Sequence, residues 1–216
     1  MPEPVTRVEG RAVPLGADDV DTDQIIPAQF LKVTEKAGLR KYLFYRWRYD
    51  GSGNLTGRFV LDRPESAGSK VLVAGRNFGI GSSRENAVWA LLDMGITCVL
   101  ASSFGDIFYN NSAKNGLLCV RLPETTLLKI KDSVSSGRAA VVVDLGEQTV
   151  TNAGEKTSFD VEPHIKQRLM SGMDDIALTT SNFLPAIERY EASMPAYLKP
   201  RATPLGRPRS SFHSTA

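Results

Sequence analysis

The segment from Lys70 to Arg121 alternates short apolar runs with helix-forming stretches, and this alternation constrains the fold more than any other feature of the sequence. Strands are predicted at 70–74, 97–101 and 117–121, with helices at 83–94 and 106–115 between them. Strands that alternate with helices pair in parallel through right-handed crossovers. Gly116 follows the second helix, at a position where a left-handed residue commonly ends a helix. The pattern therefore predicts an α/β fold with a mainly parallel central sheet.

Shorter elements are predicted outside this segment. A short strand is expected near residue 11, further strands at 139–145, 149–152 and 157–161, and helices at 123–134, 164–171 and 183–192. A chain of 216 residues with 42% apolar residues fits one domain, which we place at residues 1–195. Residues 196–216 are rich in Pro, Ser and Arg and are expected to form a flexible basic tail.

The formal charge of +2 comes from the end of the chain. Four basic residues follow Glu191, the last acidic residue, so the body carries a charge near −2 (2 − 4 = −2). A nucleic-acid-binding surface would need a broad basic stripe, so no nucleic-acid partner is expected. The first ten residues lack the pattern of a secretory signal, and no apolar run has membrane-spanning length. We therefore expect a cytoplasmic protein.

Metal-ligating residues are scarce. The two cysteines, Cys98 and Cys119, each lie in a short apolar run that is typical of a buried strand. An iron–sulfur cluster normally takes three or four thiolates, and the only histidines are His164 and His213. We therefore expect this chain to bind no cluster and no metal by itself.

An acidic turn, Asp18 to Asp23, precedes the apolar residues Ile25 and Ile26. Such a turn could bind calcium, but it lacks the glycine and the distal glutamate of an EF-hand loop. Capping and termination of local elements is the favoured interpretation.

Residues 34–68 are predicted to form a long irregular segment that is rich in aromatic and basic residues. Its central part contains Tyr42, Phe44, Tyr45, Trp47 and Tyr49 among Arg40, Lys41, Arg46 and Arg48. Loops of this length are usually functional or disordered, and the aromatic content argues for order. Three interpretations stay open: a loop that packs its own aromatics, a stacking surface for single-stranded RNA, and a lid over an anionic substrate.

The glycine-rich loop from Gly75 to Glu85 joins a predicted strand to a predicted helix, where open α/β sheets bind ligands. It fits neither a dinucleotide fingerprint nor a Walker loop. Ser82, Ser83 and Arg84 would meet free amides at the helix amino terminus, and this combination favours a bound carboxylate. A serine alkoxide stabilised in the same place could act as a base. The residues alone favour a capping box formed by Ser82 and Glu85, with Arg84 as a solvated surface charge, although one serine could cap while its neighbour faces a pocket.

Two motifs resemble those of a known family. The sequence from Gly81 to Glu85 resembles the active-site signature of the swivelling domain in the aconitase superfamily, and Asp21 to Pro27 resembles the opening motif of that domain. Together with the long aromatic segment and the stretch 103–111, they make the chain similar to the family of 3-isopropylmalate dehydratase small subunits, from about Val8 to Tyr197. The resemblance implies a three-layer β/β/α swivelling domain.

The resemblance also implies a function. A large partner subunit would hold a [4Fe–4S] cluster, and the two subunits together would isomerise 2-isopropylmalate, a small dicarboxylate, to 3-isopropylmalate through isopropylmaleate in leucine biosynthesis. In this family pattern Ser82 is the base. The residues that would bind the substrate are Ser83, Arg84, Thr22, Asp23, Leu39 and Tyr42. Leu39 and Tyr42 belong to the segment 34–68, which corresponds to the substrate-recognition loop of the family.

This chain departs from the family pattern at two positions. Asn86 stands where family members commonly have histidine, and Ile80 stands where a cysteine is often found. A related hydro-lyase small subunit that acts on a methylmalate, dimethylmalate or homoaconitate-type acid is therefore the second hypothesis. The third is a non-catalytic binding module, against which the presence of both Ser82 and Arg84 argues.

Overall fold

The computed structural model describes residues 2–31, 36–195 and 197–198. Within these ranges, the central feature is a seven-stranded sheet with the strand order β4-β3-β2-β1-β5-β6-β7. The strands are β1 Arg7–Pro14, β2 Val71–Val73, β3 Cys98–Ala101, β4 Leu118–Arg121, β5 Ala140–Asp144, β6 Thr149–Asn152 and β7 Glu155–Ser158. Strands β1 to β4 pair in parallel, whereas β5, β6 and β7 continue the sheet with antiparallel pairings. The predicted α/β class is confirmed, and the sheet is mixed.

The first strand belongs to both parts of the sheet. Its first five residues, Arg7 to Arg11, pair with β5, and its last three, Ala12 to Pro14, pair with β2. Polar residues alternate with buried ones along β1, which is why the sequence indicated only its second half. Because one strand serves two sets of partners in succession, the sheet changes from parallel to antiparallel pairing at β1.

Helices connect the parallel strands and flank the sheet. The α-helices are α1 Thr22–Ile25, α2 Tyr45–Arg48, α3 Glu85–Asp93, α4 Asp106–Asn115, α5 Glu124–Ser135, α6 Pro163–Ser171 and α7 Asp175–Ser193. Short 3₁₀ turns lie at Ala28–Phe30, Leu39–Lys41, Val60–Asp62 and Pro64–Ser66. Gly116 ends α4 in the left-handed conformation, as predicted. Strands β2 and β3 are completely buried, so the core lies at the parallel half of the sheet.

Several boundaries differ from the prediction by one or two residues, and β7 and α7 differ by more. Strand β7 begins at Glu155, two residues before the prediction, because Ala153 and Gly154 both have positive φ and form a tight turn that fixes the register with β6. Helix α7 begins eight residues before the predicted start, and Pro185 lies inside it. The predicted start at Phe183 places Pro185 in the first turn, where proline is tolerated, whereas the observed helix carries it in its interior.

Contacts between residues divide the chain into two units, 1–174 and 175–216. The first unit contains the sheet, and the second contains α7. Across the described residues, no helix has the length and apolar character that a membrane span requires. Thr34 and Glu35 of the predicted recognition segment lie outside the described residues, as does all of the predicted tail except Tyr197 and Leu198.

Candidate active site

The glycine-rich loop between β2 and α3 lies at the carboxyl ends of the parallel strands. The amide of Asn77 donates to Ser103 Oγ over 2.8 Å, and Phe78 forms a bridge with Phe104. The loop therefore runs beside the segment that follows β3. This is the place where open α/β sheets bind ligands, as the sequence predicted.

The acidic turn braces the start of this loop. The Asp19 carboxylate accepts from Asn77 Nδ2 at 2.7 Å and from Arg76 Nη2 at 3.1 Å, and Asp18 Oδ1 accepts from the Arg76 amide at 2.8 Å. The hydrogen bond from Asn77, followed by the one from Arg76, lowers the pKa of the Asp19 carboxyl. Among the described residues, the carboxylates of Asp18 and Asp19 therefore accept hydrogen bonds from the glycine-rich loop, through Arg76 and Asn77.

The next part of the turn caps α1 and supports the serines. Asp21 and Gln24 form a reciprocal capping box with two 2.8 Å hydrogen bonds, which agrees with the predicted capping role. The Thr22 amide donates to the carbonyl of Ile80, and Thr22 Oγ1 donates to the carbonyl of Ser82 over 3.0 Å. Thr22 is 2% exposed. Its hydroxyl therefore supports the loop, and the geometry does not favour the predicted contact with a substrate.

Gly79 allows the loop to approach α4. Its φ is +76°, and a Cβ on Gly79 would overlap the ring of Phe108. A Cβ on Gly105 would in turn overlap the Gly79 carbonyl. Only glycine at both positions lets the two backbone segments come this close.

The two serines of the loop are exposed, and their hydroxyls contact no hydrogen-bond partner among the described residues. Ser82 and Ser83 both lie at the surface. Among the hydrogen bonds of the described residues, none involves either hydroxyl, and Ser82 takes part only through its carbonyl. Both hydroxyls are therefore available to a ligand.

Helix α3 begins at Glu85 without a side-chain cap. The alternative of a capping box is wrong, because Arg84 is the N-cap residue and Glu85 Oε1 instead accepts from Asn115 Nδ2 over 2.7 Å. The positive end of the helix dipole, left without a capping side chain, faces the loop that carries the serines.

Arg84 is held by one nitrogen of its guanidinium. Nη1 donates to Asp23 Oδ1 over 2.6 Å and to the carbonyl of Ile26 over 3.1 Å, and the side chain is 13% exposed. In the described part of the chain, Nε and Nη2 make no hydrogen bond. These two nitrogens have the parallel geometry that grips a carboxylate with two hydrogen bonds.

Asp23 holds two guanidinium groups. Besides Arg84, its carboxylate accepts from the Ala28 amide at 2.8 Å and pairs with Arg46 Nη1 at 2.9 Å. The hydrogen bond from Arg84, then the one from Ala28, lowers the pKa of the Asp23 carboxyl. An ionised carboxylate repels a substrate carboxylate, so Asp23 orients Arg84 here. The geometry does not favour its predicted direct contact with substrate.

The structure distinguishes Arg40, Arg46 and Arg48 of the aromatic segment, any of which could meet a carboxylate as far as the sequence shows. Arg46 reaches Asp23 and is 62% exposed. Arg48 is buried, pairs with Asp62 at 2.8 Å and donates to the carbonyl of Arg40 at 2.7 Å. Arg46 is therefore the arginine of this segment that meets the site. Sequence spacing could not single it out, because the ion pair joins residues 23 positions apart.

Leu39 and Tyr42 lie in the predicted recognition segment but differ in exposure. Leu39 is completely buried in the core, so a contact with substrate is not favoured by this arrangement. Tyr42 is half-buried and stacks on Phe30, with ring centroids 4.0 Å apart. The amide of Phe44 donates to the carbonyl of Ile25 over 2.7 Å, which ties the segment to α1.

The described residues do not fit an iron–sulfur cluster. Cys98 and Cys119 are free and buried on neighbouring strands, and burial raises the pKa of both thiols, that of Cys119 to about 12. Thiolates are the ligands of such clusters, and these thiols stay protonated. Within the same residues, no group of three His, Cys, Asp or Glu side chains is placed to hold a metal ion.

Comparison with known proteins gives a consistent result. Residues 2–125 match the family model of the aconitase C-terminal domain. The small subunit of 3-isopropylmalate dehydratase from Rubrobacter xylanophilus is 47% identical over 197 residues, which cover 91% of this chain and 97% of the relative. The small subunit of the same enzyme from Caulobacter vibrioides is 50% identical over 175 residues, covering 81% and 87%.

A solved structure supports the same relationship. The crystal structure of a 3-isopropylmalate dehydratase chain from Methanocaldococcus jannaschii superposes with a TM-score of 0.60 at 26% sequence identity. The match covers 85% of this chain and 99% of that one. Sequence and backbone thus give the same relatives.

Proposed function

The chain belongs to the aconitase C-terminal domain family and, within it, to the 3-isopropylmalate dehydratase small subunits, and from this premise we propose how its site works. It is the small subunit of a hydro-lyase of leucine biosynthesis. In our proposal, it docks on a large subunit and the pair converts 2-isopropylmalate to 3-isopropylmalate. The observation that carries the proposal is the geometry of Arg84, which Asp23 holds by Nη1. Within the described chain its Nε and Nη2, like the hydroxyls of Ser82 and Ser83 just before it, make no hydrogen bond.

Substrate binding begins at Arg84. One carboxylate of the malate skeleton lies against Nε and Nη2, and Ser83 Oγ adds a third donor. A charge-assisted pair of this kind contributes ~1.5–3 kcal/mol, and its fork fixes the orientation of the carboxylate plane. Asp23 acts as a positioning residue that holds the other edge of the same guanidinium.

Ser82 is the base in this proposal. Its alkoxide takes the proton from the carbon next to the bound carboxylate, the hydroxyl group leaves the neighbouring carbon, and isopropylmaleate forms. Addition of water in the reverse sense, with the hydroxyl on the other carbon, returns the proton from Ser82 and gives the isomer. Arg84 and the dipole of α3 stabilise the alkoxide form, because both present positive charge to the loop.

The remaining chemistry belongs to the partner. We place a [4Fe–4S] cluster on the large subunit, where it would supply Lewis-acid polarisation of the leaving hydroxyl. This chain contributes the glycine-rich loop that carries Ser82 and Ser83, the side chain of Arg84, and the aromatic segment that covers the substrate. Ser82 and Ser83 are exposed in the isolated subunit, and docking would exclude water from them, as a strong base requires.

The aromatic segment provides the cover. Tyr42 lies partly exposed on Phe30, and Arg46 connects the segment to Asp23 beside Arg84. Its apolar surface suits an isopropyl substituent. One methylene changes the free energy of binding by only ~1–3 kcal/mol, so analogues that differ from the substrate by one methylene are also expected to bind. The proposed location is the cytoplasm, as expected of an enzyme of amino-acid biosynthesis.

The experiment that tests the proposal is the hydration of isopropylmaleate, followed by the loss of its ultraviolet absorbance under anaerobic conditions. Three samples are compared: this chain alone, the cluster-loaded large subunit alone, and the mixture. Activity only in the mixture supports the proposal. A complex that turns over only methylmalate, dimethylmalate or homoaconitate-type acids identifies the related hydro-lyase, and the absence of a complex overturns the subunit assignment.

A further inference from the structure

One face of α3 is bonded along its whole length to other segments. Glu85, Trp89 and Asp93 recur at intervals of four residues, so their side chains lie on the same side of the helix. Glu85 Oε1 and Trp89 Nε1 both bond the side chain of Asn115, over 2.7 and 2.8 Å. Asp93 Oδ2 accepts from the amide of Arg40 at 2.7 Å. The first residue of this face directly follows Arg84.

Asn115 is the point where these contacts meet. Its Nδ2 donates to Glu85 and also to the carbonyl of Asn111, one turn back in its own helix, at 2.9 Å. Its Oδ1 accepts from Trp89 and, at 3.3 Å, from Lys36 Nζ. An amide can donate and accept at once, so only Asn or Gln could make this set of bonds, and Gln is one methylene longer.

The same cluster reaches the aromatic segment. Lys36 also lies over the ring of Trp89, 4.8 Å from its centroid, and Arg40 is held by Asp93 at the end of α3. The glycine-rich loop that carries the serines precedes α3, and Lys36 and Arg40 belong to the aromatic segment. Both parts of the proposed site are thus attached to one helix face.

We propose that Asn115 is a positioning residue that fixes the first turn of α3, and with it Arg84 and Ser83, relative to the aromatic segment. The inference rests on the proposed function and deepens it. Without the bond to Asn115, Glu85 has no other described hydrogen-bond partner, and the uncapped first turn of α3 is free to change its orientation. A shift of the substrate-binding arginine by about 1 Å is enough to lower turnover about a hundredfold.

The test compares four variants in the complex with the large subunit. Asn115→Asp keeps the acceptor for Trp89 and Lys36 but places a carboxylate against Glu85. Glu85→Gln with Asn115→Asp restores one hydrogen bond with donor and acceptor exchanged, and Glu85→Gln alone completes the cycle. Asn110→Asp is the matched control, because Asn110 makes the same backward bond within α4, to the Asp106 carbonyl at 2.9 Å. Among the hydrogen bonds of the described residues, Asn110 makes none to α3.

We expect kcat/KM to fall about tenfold or more in Asn115→Asp and to recover most of this loss in the double variant. In Asn110→Asp we expect no loss of kcat/KM. Amide hydrogen exchange of the isolated subunit gives a second measurement that needs no activity. Exchange in residues 82–88 is expected to rise in Asn115→Asp and to return towards the wild-type rate in the double variant.

Two outcomes overturn the inference. Equal kcat/KM and equal exchange in Asn115→Asp and Asn110→Asp would mean that Asn115 does not position the loop. Equal losses in Asn115→Asp and in the double variant, with a lowered melting temperature in both, would mean that Asn115 serves stability alone. Failure of the proposed function is seen separately, because the wild-type complex would then be inactive while the exchange experiment still reports on the loop.

Discussion

At the scale of single residues, Arg84 reaches the site with one edge of its guanidinium already engaged. Asp23 and the Ile26 carbonyl hold Nη1, which leaves the opposite edge in a fixed plane. A lysine ammonium is a single point of charge, so it could not hold Asp23 and also grip a ligand carboxylate with two parallel hydrogen bonds.

The first prediction concerns this difference. Arg84→Lys is expected to lower kcat/KM by about 10- to 150-fold, corresponding to a loss of ~1.5–3 kcal/mol of charge-assisted hydrogen bonding. Association with the large subunit is expected to persist, because the charge is kept. Steady-state kinetics and a binding titration of the two subunits check this, and unchanged turnover would remove Arg84 from the site.

The second prediction concerns the pH dependence of Asp23. Its folded pKa is lowered, so the carboxylate stabilises the fold above its unfolded pKa of ~3.9, and this contribution is lost as the pH falls through the folded value. The difference in unfolding free energy between wild type and Asp23→Asn should be constant from pH 8 to 5 and shrink below pH ~4. Urea titrations at several pH values measure it; a difference that grows on acidification would contradict the assignment.

The sequence could indicate Ser82, Ser83 and Arg84, because their chemistry and spacing are local. It could not indicate how Asp23 is used, since the partners Arg46 and Arg84 lie 23 and 61 positions away. The capping box failed for the same reason. Glu85 found a better partner in Asn115, 30 residues later, and a local rule cannot anticipate that.

At the scale of elements, the aromatic segment is held from within by a buried ion pair. Arg48 and Asp62 have side chains only 8% and 3% exposed, and Arg48 also donates to two carbonyls of the segment. Asp62 Oδ2 is buried without a described hydrogen-bond partner. The buried ion pair between Arg48 and Asp62 thus joins the two ends of this part of the segment and holds it as a loop.

The third prediction follows from this burial. Arg48→Met leaves the Asp62 carboxylate buried and unpaired, and we expect the free energy of unfolding to fall by ~3–5 kcal/mol. Arg7→Met is the control, because the pair between Arg7 and Glu9 is 54% and 63% exposed and should contribute less than ~1 kcal/mol. Urea unfolding of both variants provides the comparison. Equal decreases in the free energy of unfolding would show that the buried pair stabilises the fold no more than the exposed pair does.

The elements themselves follow from the sequence to different degrees. The helix from Asp106 to Asn115 and the strand β6 were predicted with the observed bounds, because a left-handed glycine and a regular alternation mark them. Helix α2 was not predicted, since four residues at Tyr45–Arg48 give no periodicity to read. Contacts with distant residues define that turn, such as the hydrogen bond from the Phe44 amide to the Ile25 carbonyl and the packing of Trp47 on Phe59.

At the scale of the whole molecule, the first unit contains a core of its own. The buried apolar residues of the described chain run from Val8 to Leu169. Several apolar residues of α7 are exposed, among them Ile176 and Phe183. The sequence suggested a single domain to residue 195, and contacts place a division at 174. The domain boundary therefore stays a prediction that truncation can test.

The fourth prediction is that a chain ending at Asp174 remains folded. Because its buried core is complete, the melting temperature should fall by less than about 4 °C, equivalent to ~1 kcal/mol. A chain ending at Glu162 is the control, since it also loses Ile165 and Leu169, each worth ~1.5–3 kcal/mol of burial. Calorimetry distinguishes them, and an unfolded 1–174 chain would favour the boundary at 195.

The divided pairing of β1 also sets an order of events during synthesis. The second half of this strand can pair once Val71 to Val73 emerge, but the first half waits for Ala140, which is 126 residues after Pro14 (140 − 14 = 126). At ~5–20 residues per second, a ribosome needs roughly 6–25 s to make that stretch. From the time β1 pairs with β2 until β5 is made, the nascent chain exposes an open strand edge, which is a template for pairing with other chains. Slower translation would lengthen the time for which this edge is exposed. We therefore expect the yield of the subunit to fall unless Arg7 to Arg11 are shielded until β5 has been made.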